Sequence, residues 1–309
     1  MTFEVTYQNA RYNIKSFLKN HPGGLNYLEP YKELDVEKRM KITHSQAATY
    51  LLEEYRLELQ KHENDLEKLV DWSKPMLKQV GNLGTKYKTW VNCPVDRDLT
   101  LFENPLLEML TITPWYFVPA VWVPVIIYLI KLGTQRYIDL TRDPSPTRTI
   151  VLYIFLGLIL WSFIEYSLHR WVFHMEPTGK SKLLIYVHFI MHGLHHKVPF
   201  DTRRLVFPPA GSAIIGSIIY KIVSLIVPDY MIILLAAGGF SGYLMYDMIH
   251  FYLHCGAPKE NSYFYHLKRY HNQHHFAQHN SGFGISSTFW DQIFGTVINL
   301  RSLATSIRW

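Results

Sequence analysis

The chain has 309 residues, with 31 Lys plus Arg against 25 Asp plus Glu, 16 His and 2 Cys. Two cysteines, Cys93 and Cys255, exclude a disulfide-stapled secreted fold and a cysteine-rich zinc site. The net charge of +6 is spread along the chain without a zinc-finger, RNP or basic-helix pattern, which argues against nucleic acid and for an anionic lipid surface.

The first third is charged and reads as soluble in character, and its start lacks the apolar stretch of a cleavable signal peptide. FEVTYQNARYNI alternates like two strands joined by an Asn-containing turn, and YNIKSFLKNHPGG reads as a short helix stopped by Pro22 and Gly23. Residues 45–70 carry good helix formers, an apolar stripe at helical spacing and Ser45 as N-cap candidate, which predicts a helix. Residues 71–108 read as a linker running up to a membrane.

Residues 109–130 contain no charge, and about 20 helical residues match a hydrocarbon core of about 30 Å. Further apolar runs cover Thr149 to Leu168, Val206 to Val227 and Tyr230 to Tyr246. The last two are joined only by Pro228 and Asp229, so they form an antiparallel hairpin that either crosses or re-enters. Trp115, Tyr116, Trp122, Tyr128, Trp161 and Tyr166 fall where an aromatic belt would place them. The expectation is a mainly α protein with four transmembrane helices and a histidine-rich helical cap.

Thirteen of the 16 histidines lie between His169 and His279. Ten form four clusters: His169 and His174; His192, His195 and His196; His250 and His254; His271, His274 and His275. On a helix, positions i, i+3 and i+4 share a face, so each H-x-x-H-H is expected to aim three imidazoles at one locus. The five-residue step from His169 to His174 turns about 140° on an ideal helix, so that pair needs a bend or serves two metals. Four-coordinate zinc needs four ligands, whereas two octahedral ions absorb about ten imidazoles and keep open positions, so ligand count favours a two-metal centre. His188, His266 and His279 read as extra. Asp247, one turn before His250, either orients an imidazole or caps the span. If all four runs cross, every cluster lies on one membrane face, shared with the N-terminus; the basic residues make that face cytoplasmic.

The four clusters resemble the eight-histidine motif of the integral-membrane non-haem di-iron hydroxylases and desaturases. FLKNHPGG followed by KITHS resembles the haem-binding signature of cytochrome b5, with His21 and His44 at about the family's separation, although the stretch between them, YLEPYKELDVEKRMKI, departs from the family pattern. The order of parts is similar to the fatty acid 2-hydroxylase family over nearly the whole chain. The resemblance implies a small α+β cytochrome b5-like domain over 1–70 holding haem b through His21 and His44, a linker over 71–108, and a hydroxylase domain over 109–309. In that domain the ten clustered histidines would hold two metal ions, iron expected and zinc equally suited to imidazole. It further implies hydroxylation at C2 of an acyl chain with dioxygen, electrons arriving from a cytochrome b5 reductase or similar donor, and an endoplasmic reticulum membrane location. Two other readings use the same clusters: a sterol or alkyl-lipid oxygenase, which has no need of the HPGG module, and a non-redox di-zinc membrane protein, which has no need of haem.

Overall fold

The computed structural model describes residues 2–57, 66–303 and 306–309. The expected strand pair is present: Glu4–Tyr7 pairs antiparallel with Ala10–Asn13, Val5 facing Tyr12. Gln8 and Asn9 form the turn in the left-handed region, where asparagine is tolerated. A 3-10 turn over Lys15–Asn20 then leads to the HPGG segment. Ser45 caps a helix as expected, accepting from the Ala48 N–H at 3.3 Å, but the helix covers only Gln46–Leu52. Tertiary pairing overrides helical propensity beyond it. Tyr12 donates to Glu53 at 2.7 Å and the Leu57 N–H reaches the Arg11 carbonyl at 2.8 Å, which draws the chain alongside the second strand. The remainder of that predicted helix falls partly on residues 58–65, outside the described residues.

Residues 71–108, expected as a linker, are folded. Met76, Val80, Tyr87, Trp90, Val95 and Leu101 are buried together with Ile185, Phe189, Leu194 and Val198, so this segment covers the second of the four histidine-bearing stretches from the side. Lys197, fully buried beside His196, locks the contact: its ammonium donates to Glu67 at 2.6 Å and to the Cys93 carbonyl at 2.6 Å, and lies 4.4 Å from the Trp90 ring centre. Burial lowers its pKa and the Glu67 carboxylate raises it.

Among the described residues, three helices are long and apolar enough to cross a membrane: Phe117–Thr141, Thr147–Phe173 and Asp229–Cys255. The first starts eight residues after the expected Met109, because Pro114 ends the preceding short helix Pro105–Thr111, whose exposed Leu106, Met109 and Leu110 suit a membrane surface. The third apolar run gives only a 15-residue helix, Pro209–Val223, about 22 Å long and short of a full span. Asp229, just after it, pairs with Arg136 at 3.6 Å, so the third long helix starts level with the end of the first. The second and third long helices touch at Gly157 and Gly238, where a Cβ would stand 2.2 Å and 2.0 Å from the facing carbonyl oxygens. Glycine is needed there for backbones to approach this closely.

Candidate metal centre

All four histidine clusters meet at one end of the long helices. They form two neighbouring groups whose ligand atoms lie within 4.8 Å of one another: His169, His174, His192 and His274, and separately His195, His250, His254, His271 and His275. His196 adjoins both, its Nε2 3.0 Å from that of His192 and its ring 4.3 Å from His275.

The expectation that each H-x-x-H-H aims at a single locus is therefore corrected. Positions i and i+4 stay on one side, but the i+3 histidine crosses over: His195 leaves His192 to join the second group, and His274 leaves His271 and His275 to join the first. Adjacent helical residues differ by about 100°, so two consecutive imidazoles diverge and bridge two loci more readily than they share one. The two groups thereby interlock through one residue each.

His169 and His174 belong to the same group, and the backbone explains how. Leu168–Phe173 is a π-turn in which the His174 N–H bonds to the His169 carbonyl at 3.0 Å, so i and i+5 lie one turn apart and the rings stand 4.9 Å from centre to centre. A second π-turn, Phe189–Gly193, carries His192. Such wide turns concentrate at functional sites.

The protonation pattern suits metal ligation. The His169 Nδ1–H donates to the Phe283 carbonyl at 2.6 Å and the His274 Nδ1–H to the Ser281 carbonyl at 2.7 Å, which leaves a lone pair on each Nε2. The buried Nε2 atoms of His174 and His274 have no hydrogen-bond partner among the described residues. Neighbouring Nε2 atoms stand 2.8–3.1 Å apart in both groups. The ligand count exceeds what two four-coordinate ions would use and suits ions of higher coordination number. Burial first, and then the charges of the neighbouring imidazoles, hold His192, His195, His196, His271 and His275 far below the ordinary pKa, in the neutral form that binds metal.

Two carboxylates that the sequence reading did not assign to the site build the support. Asp291 accepts from the Phe283 and Gly284 N–H groups, both at 2.9 Å, and Glu165 accepts from Ile285 and Ser286 at 3.1 and 2.8 Å. Together they hold the loop whose carbonyls orient His169 and His274. Gly282 makes that loop possible, with φ of +73° and no room for a Cβ against Ile298. Asp247 takes neither expected role: it accepts from the Phe207 N–H at 3.0 Å and so fixes the chain where the short apolar helix begins. His188 bonds Tyr87 at 2.6 Å and His266 is exposed, as expected for extra residues, whereas His279 comes within 5.6 Å of the His196 ring.

His21 and His44 face each other with ring centres 6.0 Å apart, and the His21 Nδ1 lies 3.3 Å from the Gly24 carbonyl. Burial, then the neighbouring His44, pushes His21 down to about 4. The unit that carries them rests on the histidine helix Tyr263–Phe276: the Ser45 hydroxyl donates to the Phe276 carbonyl, and Phe17, Phe200 and Phe276 follow one another at 5.5 and 6.0 Å.

Residues 154–296 match the fatty acid hydroxylase family profile. The chain is 38% identical to the fatty acid 2-hydroxylase of Mus musculus, over 93% of this chain and 89% of that protein. It is 37% identical to a dihydroceramide fatty acyl 2-hydroxylase of Arabidopsis thaliana, over 76% of this chain and 96% of that one. A solved structure of full-length scs7p, in which only the hydroxylase domain is visible, superposes with a TM-score of 0.66 at 30% identity, covering 85% of this chain and 92% of the other.

Proposed function

This chain belongs to the fatty acid 2-hydroxylase family, and from that premise we propose that it hydroxylates C2 of fatty acyl chains, as free acid or as the N-acyl group of a ceramide. The observation that carries the reading is the pair of interlocked imidazole groups at one end of the long helices. His169, His174, His192, His196 and His274 would hold one metal ion, and His195, His250, His254, His271 and His275 the other. The ligand count favours an ion of higher coordination number, such as iron, over tetrahedral zinc. When bound, the ions supply dioxygen activation: one oxygen atom enters the C–H bond at C2 and the other leaves as water, consuming two electrons and two protons. The protein's own contribution is positioning. The loop clamped by Glu165 and Asp291 fixes the tautomers of His169 and His274, and the apolar surroundings keep the imidazoles neutral.

The electrons enter through a cytochrome b5-like unit over residues 1–70, supplied by cytochrome b5 reductase or a similar donor. His21 and His44, whose rings face each other 6.0 Å apart, would hold haem b, which would supply electron transfer there. Residues 209–228 serve as a fourth pass, because they lead from the histidine end of the long helices back to the level of Arg136. The protein then sits in the endoplasmic reticulum membrane with the N-terminus and all histidine clusters on the cytoplasmic face. Expression in cells lacking their own 2-hydroxylase tests the function. Sphingolipids with a hydroxyl located at C2 by fragmentation mass spectrometry are expected, and their absence despite normal protein level would remove the assignment.

A further inference from the structure

We propose that the apolar pocket between the second and third long helices and the short helix Pro209–Val223 is a gauge of acyl length, with Gly239 setting how far a chain enters. This rests on the reading of the protein as an acyl hydroxylase. The pocket has a cavity volume of about 100 Å³ and is lined almost wholly by apolar side chains. Its upper end abuts both imidazole groups: Phe173 stacks on His192 at 5.5 Å and Tyr246 lies parallel to His250 at 6.1 Å. Ile232 and Val223 line it at the end farthest from the histidines. From Tyr246 to Ile232 the third helix rises about 21 Å, and Gly239 lies half-way. The occupant that fits a pocket so apolar, set among membrane helices and bounded at one end by the rings that stack on His192 and His250, is the acyl tail of a membrane lipid, its polar end toward the histidines.

The glycines of this helix pair divide into two kinds. At Gly157 and Gly238 a Cβ would collide with facing backbone, so those residues hold the helices together. At Gly239 a Cβ would meet nothing closer than the Gly157 carbonyl oxygen at 4.0 Å, although the residue lines the pocket. A side chain placed there fills the pocket and leaves the helix contact intact.

The test is a competition assay with purified full-length protein and an equimolar ladder of N-acyl sphingoid lipids that differ only in acyl length, read by mass spectrometry of the 2-hydroxy products. Ratios within one reaction do not depend on enzyme amount. Each methylene that no longer fits should cost about fourfold in relative kcat/KM, so Gly239→Leu should shift the ratio of long to short products on the order of 50-fold over three methylenes. Ile232→Ala, which makes room at the end farthest from the histidines, should shift it the opposite way and provides the readout if the leucine variant fails to fold. A product ladder unchanged from wild type in an active variant overturns the gauge and leaves the hydroxylase reading standing. Wild-type protein that yields no 2-hydroxy product overturns both.

Discussion

Asp291 is 0% exposed and touches no imidazole, yet substituting it should release metal. Its two oxygens receive the Phe283 and Gly284 N–H groups at 2.9 Å, and Oδ1 also receives the Thr296 hydroxyl at 2.7 Å. Replacement by alanine leaves two buried N–H groups unpaired at about 1–3 kcal/mol each, so about 2–6 kcal/mol in all. That is a large part of an ordinary folding free energy of about 5–15 kcal/mol. Asp291→Asn is the milder probe, because its carbonyl still serves one N–H while its amide opposes the other, a cost of about 1–3 kcal/mol. With the loop loosened, the Phe283 and Ser281 carbonyls no longer fix His169 and His274, and loss of such orienting partners typically weakens metal binding about 10- to 100-fold. The assay is anaerobic titration of detergent-purified protein with iron(II), with bound metal counted per chain and thermal unfolding followed alongside. A folded Asp291→Asn protein that binds iron as tightly as wild type would refute the argument that this loop orients the ligands.

Other consequences follow from the same geometry. His195→Ala and His274→Ala each remove the crossing ligand of a different group, so each should abolish 2-hydroxy product, while His266→Ala, on an exposed position, should keep most of it; metal counts and immunoblots run in parallel. Lys197→Met leaves the buried Glu67 carboxylate without its counter-charge, with the Tyr50 hydroxyl still donating to it, and should cost about 3–5 kcal/mol, with much of that recovered in the Lys197→Met, Glu67→Gln double variant, as read by thermal unfolding. Without metal, stability should fall as pH drops: below about 6.5 the unfolded chain takes up protons that the depressed imidazoles of the fold, such as His188 at about 4, refuse. Melting temperatures of metal-stripped protein should therefore decline from pH 7 to pH 5, and a flat profile contradicts neutral buried histidines. Full-length protein from haem-replete cells should show a low-spin Soret band that His21→Ala and His44→Ala each eliminate.

Histidine spacing made the metal-binding residues legible, since ligands recur in clusters that no packing requirement explains. Their partition between two loci was not legible, because a helical wheel treats i, i+3 and i+4 as one face and cannot weigh the 100° between His195 and His196 against it. Nor does any residue pattern announce a π-turn, so His169 and His174 seemed to diverge. The supporting loop acts through backbone carbonyls, which leave no side-chain signature; a carboxylate at Glu165 closing an apolar run was the available signal. In the stretch read as a linker, Trp72, Tyr87 and Trp90 were large apolar groups that needed burial, and they found it against the segment ahead of His192.

The central claim, that this site inserts an oxygen atom from dioxygen into an acyl C–H bond, is tested most directly with isotopically heavy dioxygen. Purified protein supplied with electrons and an N-acyl sphingoid lipid should yield a product whose 2-hydroxyl carries the heavy oxygen. A 2-hydroxyl that carries oxygen from water instead would contradict it.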